Sequence, residues 1–249
     1  MSMLNPAPTR CAIVTGSSRG IGAAVAQRLA RDGFAVVVNY AGDAAPADAV
    51  VAGIEEQGGR ALAVKADVAD AAQVAALFDA AERAFGGVDV LINSAGVMKL
   101  APLAQCDDAL IDSHLAINLK GTIHTLRLAA ARLRRGGRVV NFSSSVVGLY
   151  QETYGVYAAT KAAVEALTHI MAKEMRGRDI TVNAVAPGPV ATHLFLDGKD
   201  QATIDKIAQM APLGRLGQPD DIAAVIAFLA SADGGWINGQ VLRVNGGSI

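Results

Sequence analysis

Short apolar runs alternate with alanine-rich segments of helical periodicity along almost the whole 249-residue chain. Apolar runs of this length are typical of strands that are buried on both faces of a parallel sheet. The predicted strands cover residues 11–15, 35–39, 61–65, 88–93, 138–142, 180–185 and 241–244, and the predicted helices cover about 21–32, 46–57, 70–85, 107–134, 155–176 and 219–230. The repetition predicts an α/β fold, a single-domain doubly wound parallel sheet of about seven strands with helices on both faces, which is a Rossmann fold.

The composition supports one large core, because 52% of the residues are hydrophobic and only 18% are charged. No linker rich in proline or serine divides the chain. Residues 1–9 are therefore expected to form a flexible lead-in and residues 10–249 a single domain. The stretch 186–202 shows no clear element, and a loop of this length in a compact domain is usually functional. It predicts a substrate lid at about 186–213.

Charge and cysteine usage exclude several classes of protein. The net charge is -1 without a basic run, which gives no support for binding of nucleic acid or of an anionic membrane surface. No apolar stretch approaches the roughly 20 residues that span a bilayer. Cys11 and Cys106 suggest neither a disulfide framework nor a metal site. Without a recognisable signal peptide, these features favour a reducing, cytoplasmic location.

A glycine-rich turn directly follows the first predicted strand. It reads Thr-Gly-Ser-Ser-Arg-Gly-Ile-Gly over residues 15–22 and opens the first predicted helix. Glycines let the backbone approach a pyrophosphate closely, and the free N–H groups at a helix start receive its charge. The position of the turn therefore predicts a dinucleotide site rather than a plain connection. The residues assigned to it are Gly16, Ser18, Arg19, Gly20, Ile21 and Gly22.

The end of the second predicted strand indicates which dinucleotide is bound. Sheets that bind NAD usually carry a carboxylate there, which holds the ribose 2′-hydroxyl. Here the strand ends in Asn39 and Tyr40, and Arg19 of the glycine turn could face a 2′-phosphate. Asp43 lies further on, in the following loop. The pattern favours NADP(H) over NAD(H), with Asn39 and Tyr40 beside the adenosine ribose.

Tyr157 and Lys161 lie four residues apart in a predicted helix, so both fall on one face, one turn apart. An isolated tyrosine has a pKa of about 10. A neighbouring ammonium group favours the phenolate and is expected to lower the pKa of the tyrosine. Such a pair can exchange a proton with a carbonyl or an alcohol. The spacing also occurs by chance on many helices, so its meaning depends on the other motifs.

Together these motifs resemble the short-chain dehydrogenase/reductase family, in its single-domain branch, over essentially the whole chain. The turn at 15–22 is similar to the family's Thr-Gly-x-x-x-Gly-x-Gly. Further matches follow the third, fourth and sixth predicted strands, and Ser94 departs from the family's Asn-Asn-Ala-Gly. The resemblance implies additional contacts with the cofactor from Asp67, Val68, Asn93, Ala95, Gly96, Tyr157, Lys161, Pro187, Gly188, Val190 and Thr192.

The resemblance also implies the catalytic roles. Tyr157 matches the catalytic acid/base, and Lys161 matches the lysine that holds the nicotinamide ribose. Asn118 matches the asparagine that supports a proton relay to that lysine. The catalytic serine is ambiguous, because counting from the strand start or back from Tyr157 selects Ser144, whereas counting back from Gly148 selects Ser145. Ser144 is the preferred assignment, and the other serine would cap the backbone at the strand's end.

The implied activity is hydride transfer between NADP(H) and a small carbonyl or secondary alcohol substrate, with a ketone or a 3-oxoacyl thioester as the expected substrate. An NADP(H)-binding regulatory or sensor protein without turnover is the alternative. The complete set of catalytic residues argues against it, because a sensor need not keep an acid/base.

Two further expectations concern metal binding and self-association. The four histidines, at 114, 124, 169 and 193, form no ligand cluster and are expected to be surface or partly buried residues, so no metal is expected. The family resemblance implies a homotetramer or homodimer built on the helices at 107–134 and 155–176. Val164, Leu167 and Met171 form an apolar stripe there, which core packing could also explain.

Overall fold

Residues 9–249 are described by a computed structural model, and almost all of the predicted lead-in therefore lies outside the described residues. Seven parallel strands form one sheet in the order β3-β2-β1-β4-β5-β6-β7. The strands are β1 (Cys11–Val14), β2 (Ala35–Tyr40), β3 (Arg60–Lys65), β4 (Val88–Asn93), β5 (Leu133–Phe142), β6 (Thr181–Pro187) and β7 (Val241–Val244). This confirms the predicted sheet.

Ten α-helices within residues 9–249 connect or flank the strands. They are α1 (Gly20–Arg31), α2 (Ala45–Glu56), α3 (Ala71–Phe85), α4 (Asp108–His114), α5 (Gly121–Arg132), α6 (Val146–Leu149), α7 (Gly155–Glu174), α8 (His193–Leu196), α9 (Gln201–Met210) and α10 (Pro219–Ala230). None of them is both long and apolar enough to cross a membrane.

Two apolar layers pack on opposite faces of the sheet. One contains Leu29 of α1, Ile54 of α2 and Ile226 of α10. The other contains side chains of α3, α5 and α7, among them Phe78 and Met171. Successive residues of β1 point alternately into the two layers, as the period of a strand requires. Because both faces are covered, the strands are continuous apolar runs, and the doubly wound prediction is confirmed.

The apolar stripe on α7 belongs to this core. Val164 and Met171 are buried, and Leu167 packs against the same layer. Core packing therefore accounts for the stripe, which was the alternative to an interface. The large apolar residue that α7 exposes is Ile170.

The single helix predicted at 107–134 is interrupted. A π-helical segment at Leu115–Lys120 separates α4 from α5, and Asn118 lies in that segment. Such π segments are often found at functional sites, since they displace one side chain from the regular helical pattern. The helix ends at Arg132, and β5 begins at Leu133, where Val88 pairs with Leu133 before the register shifts.

The stretch 186–202 is more ordered than the sequence indicated. β6 continues to Pro187, the short helix α8 begins at His193, and α9 begins at Gln201. The side chain of Thr192 caps α8 by accepting from the N–H of Phe195, and Asp200 caps α9 by accepting from the N–H of Thr203. These caps were present in the sequence as Thr and Asp before short helical segments, but the segments are too short to show a clear period.

The strand order places the functional edge of the sheet. β1 pairs with β2 on one side and with β4 on the other. Strands β1 to β3 are added towards one edge of the sheet and β4 to β7 towards the other, so the order of the strands reverses between β1 and β4. In open α/β sheets, ligands bind in the crevice outside the carboxyl ends of the strands at such a switch point. The glycine turn directly follows the carboxyl end of β1, and residues 94–96 directly follow that of β4.

Candidate active site

The glycine turn lies tightly against the end of β4. Thr15 accepts from the N–H groups of Ser94 and Ala95 at 3.1 Å each. Gly16 has φ +62°, and a Cβ there would lie 2.7 Å from the Cα of Ala95. A Cβ on Gly22 would lie 2.6 Å from the carbonyl oxygen of Gly16. Only glycine fits these positions, as expected for a backbone cradle.

The start of α1 is prepared for an anion. Arg19 is the N-cap residue, its side chain makes no capping hydrogen bond, and no acidic residue lies in the first turn. By contrast, α3, α4 and α9 begin with aspartates that accept from their own backbone N–H groups. The N–H groups at the start of α1 thus fit the pyrophosphate of a dinucleotide. Within residues 9–249, the exposed Arg19 guanidinium makes no ion pair.

The side chain of Asn39 holds the glycine turn by a hydrogen bond and is not free to contact a ligand. The residue is buried, its Oδ1 accepts from the N–H of Gly16 at 3.1 Å, and its Nδ2 donates to the carbonyl oxygen of Ala66 at 2.9 Å. Its side chain is therefore used inside the protein, which corrects the expectation that it lies beside the ribose. The adjacent Tyr40 is half-buried, and Asp43 accepts from the N–H of Ala45 in the following loop.

Asn93 is also turned inward. Its Nδ2 donates to Oδ1 of Asn141 at 2.8 Å, and Asn141 in turn donates to Thr168 at 2.8 Å. This buried chain of hydrogen bonds joins β4, β5 and α7, so it fixes the strand ends beside the site. It was not visible in the sequence, since its members lie far apart along the chain.

Most other predicted cofactor residues share one edge of the sheet. Gly20 of the glycine turn faces the segment after β6, since a Cβ there would lie 3.5 Å from Cγ2 of Thr192. A Cβ on Gly96 would lie 3.7 Å from Nζ of Lys161. At or just after the strand ends lie Gly16, Ser18, Arg19, Gly20, Ile21, Gly22, Tyr40, Asp67, Val68, Ala95, Gly96, Pro187, Gly188, Val190 and Thr192.

Some of these residues are already engaged in the protein. Asp67 accepts from the N–H of Ala69 at 2.9 Å. The buried Val68 accepts at its carbonyl oxygen from Nδ1 of His124 at 3.0 Å. A contact of either residue with a nucleotide would therefore involve its other atoms.

The helix α7 brings Tyr157 and Lys161 together on one face, as the spacing predicts. Nζ of Lys161 lies 5.6 Å from the centre of the Tyr157 ring. The lysine is buried and donates to the carbonyl oxygen of Phe142 at 2.9 Å. Its other two N–H donors have no acceptor in the part of the chain that the structure describes. A buried ammonium group with unused donors fits the hydroxyls of a ribose.

Burial shifts the pKa values of this pair in opposite directions. Desolvation raises the pKa of Tyr157 to about 12, although the neighbouring Ser144 hydroxyl acts to lower it. Desolvation lowers the pKa of Lys161 to about 8. The expectation that the lysine lowers the tyrosine pKa is thus not met in this structure, because removing the phenolate from water is the largest cause of the shift and Lys161 is not among the causes.

The three consecutive serines have three different partners. Ser143 donates to Oε1 of Glu165 at 2.6 Å. Ser144 accepts at Oγ from the N–H of Val146 at 3.4 Å, and its hydroxyl lies close enough to the Tyr157 phenol to act on the pKa of that group. Ser145 is buried and donates to the carbonyl oxygen of Ala186 at 3.1 Å. Among the three, Ser144 is the one that meets the tyrosine, and Ser145 has the structural position at the strand's end.

Asn118 holds the segment that follows β4. Its Oδ1 accepts from the N–H of Val97 at 2.8 Å, and its Nδ2 donates to the carbonyl oxygen of Val97 at 2.9 Å. Its own backbone carbonyl accepts from Thr122. The structure therefore places Asn118 beside Gly96 and Lys161, with its amide engaged by the backbone.

Two aromatic neighbours of Tyr157 were missed in the sequence. The rings of His114 and Tyr154 meet the Tyr157 ring edge to face, with centroids 6.2 Å and 6.3 Å away. His114 and His124 are buried, which corrects the expectation of surface or partly buried positions. The spacing of four residues between His114 and Asn118 was the available signal. Among residues 9–249, no three histidine, cysteine, aspartate or glutamate side chains could together hold a metal ion.

Known proteins resemble this chain over nearly its full length. A family model described as enoyl-(acyl carrier protein) reductase matches residues 16–248. A short-chain type dehydrogenase/reductase of Picea abies is 46% identical, covering 96% of this chain and 92% of the relative. An NADPH-dependent aldehyde reductase-like protein, chloroplastic, of Arabidopsis thaliana is 43% identical over 98% of this chain and 96% of its own length.

A solved structure shows the same fold. It is a short chain dehydrogenase from Burkholderia cenocepacia J2315 in complex with NADP. The TM-score is 0.91 at 39% identity, and the match covers 97% of this chain and 98% of the other.

Proposed function

Because the chain belongs to the short-chain dehydrogenase/reductase family, we propose that it is an NADP(H)-dependent oxidoreductase that interconverts a carbonyl compound and its alcohol. The observation that carries this proposal is the Tyr157 ring 5.6 Å from Nζ of the buried Lys161, with the Ser144 hydroxyl near the phenol. That group lies next to a glycine cradle that fits a dinucleotide.

In the reductive direction, Tyr157 acts as the acid. A phenol with a raised pKa of about 12 keeps its proton at neutral pH, so the form that can donate is the one present. The substrate oxygen gains negative charge as the carbonyl is reduced, and the phenol transfers its proton to that oxygen. Ser144 donates a hydrogen bond to the same oxygen and holds it beside Tyr157. Ser145 is not assigned this role.

Lys161 supplies the positive charge of the site. With a pKa of about 8, most of the population is protonated at neutral pH. Its ammonium group stabilises the phenolate that remains after proton transfer. The same group would hold the nicotinamide ribose through its unused donors. Asn118 positions the neighbouring backbone and supports a proton relay through Lys161, which returns a proton from solvent to the Tyr157 phenolate.

The cofactor would lie along the carboxyl ends of β1 to β6. Bound NADPH would supply the hydride that reduces the carbonyl carbon. The backbone of the glycine turn would receive the pyrophosphate, Asp67 and Val68 would border the adenine, and the segment 187–192 would border the nicotinamide. The similar structure solved in complex with NADP supports this choice of cofactor.

Arg19 is proposed to select NADPH over NADH. Its guanidinium is exposed at the glycine turn, and no carboxylate lies at the end of β2. Arginine recognises phosphate through several N–H donors. Purified protein should therefore oxidise NADPH faster than NADH at limiting cofactor, and Arg19→Ala should remove that difference. A clear preference of the wild type for NADH would contradict this assignment.

The substrate is proposed to be an aldehyde or ketone of moderate size. Apolar side chains of the segment 97–102 and of the lid, including Leu194 and Phe195, offer its walls. The aldehyde reductase-like relative favours an aldehyde, whereas a 3-oxoacyl thioester remains the second candidate. A panel of aldehydes, ketones and 3-oxoacyl esters, followed by the loss of NADPH absorbance, separates these classes. NADPH binding without turnover of any of them would instead favour a sensor.

Self-association and location are further parts of the proposal. Leu115 and Ile123 in the helical segment at 115–132 and Ile170 on α7 are exposed apolar residues on the helices expected to form an interface. We expect a homodimer or homotetramer by light scattering, and a monomer at micromolar concentration would contradict it. A cytoplasmic location is to be tested by cell fractionation.

A further inference from the structure

His114 makes contacts that the proposed mechanism does not use. It is the last residue of α4 and is buried, with 1% of its surface exposed. Its Nδ1 lies 2.8 Å from the carbonyl oxygen of Leu110, and its Nε2 lies 3.2 Å from the backbone nitrogen of Lys99. Its ring meets Tyr157 edge to face at 82°.

These two contacts determine the tautomer of His114. A carbonyl oxygen can only accept, so Nδ1 carries the proton that it donates to Leu110. The N–H of Lys99 can only donate, so Nε2 must be the unprotonated acceptor. The imidazole is therefore neutral, with both of its nitrogens engaged.

His114 and Asn118 hold one short segment between them. The two residues are four apart, and both reach the chain that follows β4. Asn118 binds both backbone groups of Val97, and His114 binds the N–H of Lys99. The intervening residue Met98 is half-buried. The segment 97–99 is thus anchored at both ends, and it leads directly from Gly96 beside Lys161.

We propose that His114 is a positioning residue that fixes the segment 97–99, one wall of the carbonyl site, relative to the phenol of Tyr157. The imidazole does this through two contacts, a hydrogen bond and a ring–ring contact. Its Nε2 accepts from the N–H of Lys99, and its ring packs at 82° to the Tyr157 ring. The kinetic part of this proposal rests on the proposed function, whereas the structural part does not.

The test separates the hydrogen bond from the ring contact. His114→Phe keeps an aromatic ring against Tyr157 but cannot accept from Lys99. His114→Gln carries an amide oxygen that can reach Lys99, and His114→Asn is one methylene shorter and can replace only the bond to Leu110. His169→Phe, at an exposed histidine of α7, is the matched control.

The first measurement is hydrogen exchange of the Lys99 amide by NMR, together with the imidazole nitrogen shifts of the wild type. We expect the Nδ1–H tautomer in the wild type and at least about tenfold faster exchange in His114→Phe, which corresponds to about 1.4 kcal/mol. His114→Gln should restore protection, and His114→Asn should not. Unchanged exchange in folded His114→Phe would overturn the proposal. If that variant does not fold, equal exchange in the Gln and Asn variants would do so.

The second measurement compares kinetics with binding. The KM for the carbonyl substrate should rise about tenfold in His114→Phe and recover in His114→Gln, because a mobile wall weakens substrate binding. The Kd for NADPH should stay within about twofold in both, and His169→Phe should change neither constant. A wild type that turns over no carbonyl compound would contradict the proposed function alone, and the exchange results would still decide the role of His114.

Discussion

Adding one methyl group to the glycine turn tests whether its packing against β4 shapes the nucleotide site. At Gly16, a Cβ would lie 2.7 Å from the Cα of Ala95, and the backbone is left-handed with φ +62°. A left-handed conformation costs a non-glycine residue about 1–2 kcal/mol. Overpacking against a rigid neighbour costs about 1–3 kcal/mol. We therefore expect Gly16→Ala to cost about 2–5 kcal/mol, divided between the free energy of unfolding and that of NADPH binding.

Gly58→Ala is the matched control for that experiment. Gly58 also has a positive φ, +78°, but a Cβ there meets nothing within 4 Å. It should cost only the backbone contribution of about 1–2 kcal/mol. For a chain of this size, each kcal/mol lowers Tm by about 2–4 °C.

The assays are thermal unfolding by circular dichroism and titration with NADPH by fluorescence. Gly16→Ala should lose more stability than the control and should also bind NADPH more weakly, whereas Gly58→Ala should bind NADPH as the wild type does. Equal losses of stability in the two variants, with unchanged NADPH affinity in both, would refute the role assigned to the contact between Gly16 and Ala95.

Three further predictions concern the catalytic group. Tyr157→Phe should keep its fold and its NADPH affinity while losing most of its turnover, because the phenol donates the proton; full activity in this variant would remove the phenol from the mechanism. Ser144→Ala should lower kcat with little change in Tm. Ser145→Ala should lower Tm by about 2–4 °C, because it loses buried hydrogen bonds. A lower kcat in Ser145→Ala and a lower Tm in Ser144→Ala would instead favour Ser145 as the catalytic serine. Burial of the Lys161 ammonium group destabilises the folded state below its lowered pKa of about 8, and this penalty disappears as the pH rises towards the ordinary value of 10.5. Lys161→Met should therefore be more stable than the wild type at pH 7 in urea unfolding, with a difference that shrinks between about pH 8 and 10.5, and a difference independent of pH would contradict the lowered pKa.

The identity of the catalytic serine shows that residue spacing alone cannot choose between neighbouring candidates. Counting along the chain left Ser144 and Ser145 both possible, since adjacent residues differ by only one position in any count. In the structure, Ser145 points to Ala186 and Asn245, whereas Ser144 meets Tyr157. These partners come from β6, from the segment after β7 and from α7, so their positions depend on how the elements pack.

The pKa of Tyr157 illustrates a second limit. The spacing with Lys161 correctly placed the two side chains on one face of α7, because helical geometry alone requires it. The direction of the shift depends on desolvation, which requires side chains from other elements as well as from the neighbouring turn. Tyr154 and His114 pack around the ring and help to exclude water.

The sequence by itself determined the sheet, the order of its elements and the glycine turn, because apolar periodicity and glycine placement act over a few residues. Only the tertiary structure decided which polar groups are free to contact a ligand and which are already hydrogen-bonded inside the protein. Asn39 is hydrogen-bonded to the glycine turn, Asn93 to Asn141, and His114 to Lys99 and Leu110. The physical reason is that each hydrogen-bond partner is brought in by packing from a different element, and burial then requires that the pair be satisfied.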